Sequence, residues 1–182
     1  MKIKTMTAAC MLAGVLFSQQ TSAQSEFPHA SLYAHALYAS ALDKSSQHLY
    51  NNGFGGVAGV TYGKNNTYFV GSVGYTSIPS ALGPTDPDPN NYGDETYIPV
   101  KVGIRQHLPV ILSFLFIQGD AGVGFISYKS NTTNDTRFAF DLGAGAQFGP
   151  FEVALVWDSF TEKKPEGWSS WLTIQAGFTI GL

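Results

Sequence analysis

The chain has 182 residues, 44% hydrophobic and 14% aromatic but only 13% charged, with 20 Gly, 9 Pro and a single Cys. Soluble domains carry about 25% charged residues, so this composition argues against a soluble enzyme surface; ten basic against thirteen acidic residues, a net charge of -3, leave no basic excess for nucleic acid. No run of about 18 apolar residues occurs beyond the leader-like first 23 positions, so a helical membrane span is excluded and a membrane protein built of strands is left open.

The first 23 residues, MKIKTMTAACMLAGVLFSQQTSA, join Lys2 and Lys4 to an apolar stretch from Met6 to Phe17 and end in the small residues Thr21 and Ala23. A basic start, a short apolar run and a small-residue end make a secretory signal peptide cleaved after Ala23, so the expected organisation is a leader over 1–23 and one barrel domain over 24–182. Cys10 leaves with the leader. The exported chain then holds no thiol for disulfides, nucleophilic catalysis or metal binding, which suits an oxidising periplasm. Both leader lysines leave and no carboxylate does, so the acidic excess grows.

Beyond residue 45 no helical period of useful length appears, while period-2 alternation recurs to the end. Strands are expected near 30–42, 53–63, 67–79, 95–108, 112–129, 138–148, 151–158 and 171–182. The first, ASLYAHALYASAL, is Ala-rich and readable as helix or strand; its span fits a barrel strand. In 138–148, Phe138, Phe140, Leu142, Ala144, Ala146 and Phe148 alternate with Ala139, Asp141, Gly143, Gly145 and Gln147. The last segment sets Leu172, Ile174, Ala176, Phe178 and Ile180 against Trp171, Thr173, Gln175, Gly177 and Thr179.

Connections alternate in length. Short ones fall at Gly63 to Asn66, Leu108 to Ile111 and Gly149-Pro150, and longer polar ones at Asp43 to Asn52, Ala81 to Asp94, Ser130 to Asp135 and Thr161 to Gly167. Short turns on one rim and long loops on the other describe a transmembrane β-barrel with periplasmic turns and termini. The predicted fold is all-β: an eight-stranded antiparallel up-and-down barrel.

Alternation alone does not say which face meets lipid. The polar face is rich in Gly (Gly55, Gly59, Gly74, Gly103, Gly122, Gly124), poor strand material outside but a relief of crowding inside a narrow barrel. It is also too sparsely charged for a soluble exterior. Aromatics gather at expected strand ends: Tyr62, Tyr68, Phe148 and Phe151 by the short turns, and Tyr75, Tyr97, Tyr128, Phe160, Trp168 and Trp171 by the long loops, as interfacial belts would.

The stretches ETYIPVKVGIRQHL, FIQGDAGVGF and RFAFDLGAGAQFGPFEVALVWDSF resemble the outer-membrane β-barrel domain proteins, the "porin family" barrels common in Bacteroidetes, in which an Ile-Pro strand is followed by one ending in Gly-x-Gly and then a Gly-alternating strand closed by a tight turn. The resemblance covers about residues 53–182. It implies a barrel similar in size to outer membrane proteins A and X, lodged in the bacterial outer membrane.

Seven charges fall on the inward face: Glu95, Lys101, Arg105, Asp120, Asp141, Glu152 and Asp158. Counted from the short turns, Lys101, Asp120, Asp141 and Asp158 lie at one depth on four consecutive strands. Buried charges must be paired, so Lys101, Arg105, Asp120, Asp141 and Asp158 are expected to form a lumen ion-pair network, with Lys101 and Arg105 facing Asp120 on the next strand and Asp141 and Asp158 beyond it. An eight-stranded lumen is just filled by its side chains, which favours a plug over a gate. The loop GPTDPDPNNYGDE carries Asp86, Asp88, Asn90 and Asp94; it lacks the Gly and bidentate Glu of a calcium loop and reads as a solvated surface loop.

His29, His35, His48 and His107 are scattered, and none adjoins a Ser. The expected protein is therefore a monomeric structural or surface-interaction barrel without catalysis, cofactor or metal. Its partners are outer-membrane lipids and an extracellular ligand of the long loops. The alternatives are a narrow pore for small solutes or a lipid A-modifying enzyme.

Overall fold

The computed structural model describes residues 29–82, 93–109, 112–129, 131–162 and 167–182, and of 45, 131–134 and 162 the backbone alone. The leader 1–23 and the loop residues Asp86, Asp88 and Asn90 lie outside the described residues. Eight strands follow in order: β1 (His29–Ala41), β2 (Gly53–Lys64), β3 (Thr67–Ile78), β4 (Glu95–His107), β5 (Leu115–Tyr128), β6 (Asn131–Phe148), β7 (Phe151–Glu162) and β8 (Gly167–Gly181). Each pairs antiparallel with its neighbour, and β1 pairs with β8 to close the barrel. Closure leaves no strand edge unpaired.

The Ala-rich first segment is a strand. Its alanines favour helix, but ladders to β2 on one side and β8 on the other override that preference and impose period 2. Tyr33, His35, Leu37, Ala39 and Ala41 turn inward, while Leu32 and Tyr38 stay exposed. The tight turns after β2 and β6 each need a left-handed residue, and Asn65 (φ 58) and Gly149 (φ 61) supply it. Pro99 sits inside β4, where it lacks an N–H. The β3–β4 pairs accordingly skip Gly74 and Tyr75 and resume in the same register at Thr76↔Tyr97.

Two features of the far rim differ from expectation. Of the expected long loop Ser130 to Asp135, residues 131–135 are strand: β6 begins at Asn131, opposite Tyr128, with a register shift at Ser127/Tyr128. Likewise β7 runs on to Glu162 and β8 starts at Gly167. Polar, Thr-rich sequence gives no apolar alternation, yet a hairpin that has left the apolar band needs none, and β-branched Thr extends well. The β1–β2 connection carries a six-residue helix, α1 (Lys44–Leu49), which the periodicity does not reveal. Its N-cap, Asp43, accepts the Ser46 N–H at 2.8 Å and reaches across to the Ser170 N–H of β8 at 3.1 Å.

The two faces are sharply unlike. Outward residues such as Val102 (69% exposed) and Phe69 (68%) form an apolar exterior, while Lys101 and Arg105 on the inward face are each 4% exposed. A water-soluble barrel has the reverse arrangement. Inward glycines make room for large inward neighbours: a Cβ on Gly59 would enter the Tyr33 ring, one on Gly145 the Phe116 ring, and one on Gly103 the Asp120 carboxylate.

The expected belts are only partly on the exterior. Tyr62, Tyr75, Phe148, Phe151 and Trp168 face outward, but Tyr97, Phe160 and Trp171 are buried in the lumen, and Tyr68 stacks edge-on against His107. Their odd or even place in the strand, and not their nearness to its end, decides the face.

Candidate functional site

The lumen is layered along the barrel. At the turn-side rim lies an open vestibule of about 320 Å³ lined by polar side chains that include His29, Ser31, Thr61, Tyr68 and His107, with Arg105 at its floor. His107 is held by Tyr68 and Phe116 and has Nδ1 3.1 Å from the Ser113 carbonyl. A carbonyl only accepts, so this contact places the proton on Nδ1.

Arg105 and Glu152 form the next layer. Arg105 Nη1 donates to Glu152 Oε2 at 2.8 Å and Nε to Gln118 Oε1 at 2.7 Å. The Phe116 and Tyr33 rings flank the guanidinium at 4.1 and 5.4 Å. Glu152 also accepts from Thr179 at 2.9 Å, and its other oxygen is 3.5 Å from His35 Nε2. Sequence reading placed Glu152 inside but left it out of the network, and it did not connect His35 to it. The partners lie on β4, β7, β8 and β1, brought together only by closure.

Above them, Lys101 Nζ bonds Asp141 at 2.8 Å and Asp158 at 2.7 Å. This corrects the expected facing of Lys101 and Asp120. Asp120 sits opposite Gly103, not Lys101, and takes its hydrogen bond from Gln118 Nε2. Asp120, Asp141 and Asp158 do form one row, as direct register partners across β5, β6 and β7. Tyr97 donates to Asp158 at 3.2 Å. Cavities of about 30 and 40 Å³ border this layer below and above, each with room for a few waters at most.

Toward the loop-side rim the lumen turns apolar. Leu37, Ile78, Tyr97, Ile126, Phe160 and Trp171 pack into one cluster, with Tyr50 laid against it from the β1–β2 connection. A serine hydroxyl fastens that connection to the rim, Ser46 to Ser169 of β8 at 2.9 Å, and beside it Ser159 of β7 bonds Ser170 of β8 at 3.0 Å. Asp94, at the foot of the β3–β4 loop, is the one residue of the expected surface-loop set within the described residues. It accepts the Ser80 N–H at 3.1 Å and pairs with Lys129 at 3.2 Å. The Ser80 N–H, with Lys129 beside it, holds the Asp94 carboxyl below the ordinary carboxylate range.

No family model and no curated protein matches the chain. Solved structures do. Neisserial surface protein A (NspA) superposes with a TM-score of 0.60 at 12% identity, covering 85% of this chain and 99% of its own. The N-terminal β-barrel domain of Pseudomonas aeruginosa OprF gives 0.55 at 11%, covering 82% and 97%. The Yersinia pestis outer membrane protein Ail, in a phospholipid bilayer nanodisc, gives 0.52 at 20%, covering 85% and 100%. What this chain shares with them is the fold, a closed eight-stranded antiparallel barrel.

Proposed function

We propose that this chain is a monomeric integral barrel of the bacterial outer membrane, of the porin-family type found in Bacteroidetes, exported by its leader and without catalysis of its own. Its role is structural or one of surface interaction through the β1–β2 and β3–β4 connections. The observation that carries the reading is the pairing of an apolar exterior with a lumen in which Lys101 and Arg105 are bonded to inward carboxylates. In lipid, strands satisfy their backbone groups only by closing. Ail, a barrel of the same fold, is described as an outer membrane protein in a phospholipid bilayer, a setting this exterior suits. With an even number of strands, both ends of the barrel lie on the turn-side rim, which is then periplasmic. The test is fractionation with heat-modifiable gel mobility: the protein should travel with outer membranes and shift on boiling in SDS. A chain soluble without detergent would refute the reading.

A further inference from the structure

The turn-side vestibule serves none of the roles above. It is blind, because the ion-pair layers and the apolar cluster close the lumen beyond it. Its volume, about 320 Å³, lies at the lower end of small-ligand pockets. Its described lining contains no Asp or Glu, in a chain with thirteen of them. It contains instead Arg105, His29 and His107 among neutral groups such as Ser31, Thr61 and Thr179.

Arg105 is 4% exposed and fixed in place by Glu152, Gln118 and two aromatic faces. Those two hydrogen bonds occupy Nε and Nη1, and a guanidinium has further N–H groups to offer an acceptor. Glu152, which balances its charge, is 1% exposed and is absent from the described lining. His107 is likewise locked by two rings and a carbonyl. Groups held before a ligand arrives lose little freedom when it binds.

We infer that the vestibule is a binding site for a small oxyanion-bearing solute, its carboxylate or phosphate group received at the Arg105 guanidinium, with the neutral His107 ring as a wall of the site. That the solute comes from the periplasm rests on the orientation proposed above.

The purified barrel in detergent micelles, in phosphate-free buffer, would be titrated with 4-fluorobenzoate and followed by fluorine NMR line width, with inorganic phosphate as competitor. Saturable broadening that phosphate displaces is expected, weakened at least tenfold in Arg105→Gln. Because that variant leaves Glu152 without its cation, Ser31→Asp is the second: Ser31 is half-buried at the mouth, and a carboxylate there should weaken binding by a similar factor in a folded barrel. Broadening that never saturates, or that Ser31→Asp leaves unchanged, overturns the site. Asn66→Cys, in the β2–β3 turn, separates the two readings in cells. Labelling only after the outer membrane is permeabilised supports a periplasmic solute. Labelling of intact cells alongside saturable binding would keep the site and overturn its compartment.

Discussion

Lys101 holds two carboxylates in a layer where the inward face carries more acids than cations. Replacing it strands Asp141 and Asp158 together, and removing one side of a buried pair costs about 3–5 kcal/mol. Lys101→Met should lower stability by that order in urea titrations from lipid vesicles. Adding Asp141→Asn and Asp158→Asn should recover much of it, whereas adding Asp120→Asn, which removes a neighbour of Asp141 but no partner of Lys101, should recover clearly less. Equal rescue by Asp120→Asn would show the pairing to be wrong. Asp94 makes a second prediction. Its folded carboxyl titrates below the usual ~3.9, so the tie to Ser80 and Lys129 contributes fully above that pH and is lost as pH falls through the depressed value. The exchange protection of the Ser80 amide should stay flat from neutral pH down to about 4 and then drop; in Asp94→Asn that acid-side step should vanish.

At the scale of the strand, alternation writes two different environments into neighbouring residues. Leu142 and Ile174 are outward and exposed, while Gln175 borders the cavities beside Asp141. Leu142→Arg or Ile174→Arg puts a charge on the apolar exterior, worth roughly 2–4 kcal/mol at mid-membrane. Gln175→Arg meets the acid-rich lumen and should cost less in the same vesicle titrations. The reverse ranking would mean the barrel is inside out. This face assignment was legible in the sequence because each strand meets one apolar and one packed polar surface. The row Asp120, Asp141, Asp158 was legible too: the turn at Gly149-Pro150 pairs Phe148 with Phe151, and counting back reaches Asp141 opposite Asp158. What counting from turns misses is contact across the lumen. Lys101 meets Asp158 from β4 to β7, and Arg105 meets Glu152 the same way, over strands that share no ladder. Strand ends beyond the apolar band were illegible for another reason: there no alternation is imposed, so β6 reached Asn131 unannounced.

For the whole molecule, the order of layers decides conduction. An ion entering from the turn side crosses the vestibule and then two charged layers whose flanking cavities hold only a few waters. It next meets an apolar cluster centred on Tyr97, Phe160 and Trp171, where a bare charge pays a large desolvation cost. Two barriers of different chemistry in series mean that weakening either alone leaves the other standing. In planar bilayers the wild-type barrel should therefore show no steady conductance, and Lys101→Met should stay closed despite its lost ion pairs. Trp171→Ala combined with Phe160→Ala removes the bulk of the cluster and leaves the Lys101 layer in place; it too should stay closed. The three changes together still leave the Arg105–Glu152 layer standing, so only when Arg105→Gln and Glu152→Gln are added, in a barrel that keeps heat-modifiable mobility, should it conduct steadily. If Lys101→Met alone opened, the apolar cluster would be no barrier. If the wild type already conducted, the lumen would be a pore and the layered plug would be wrong.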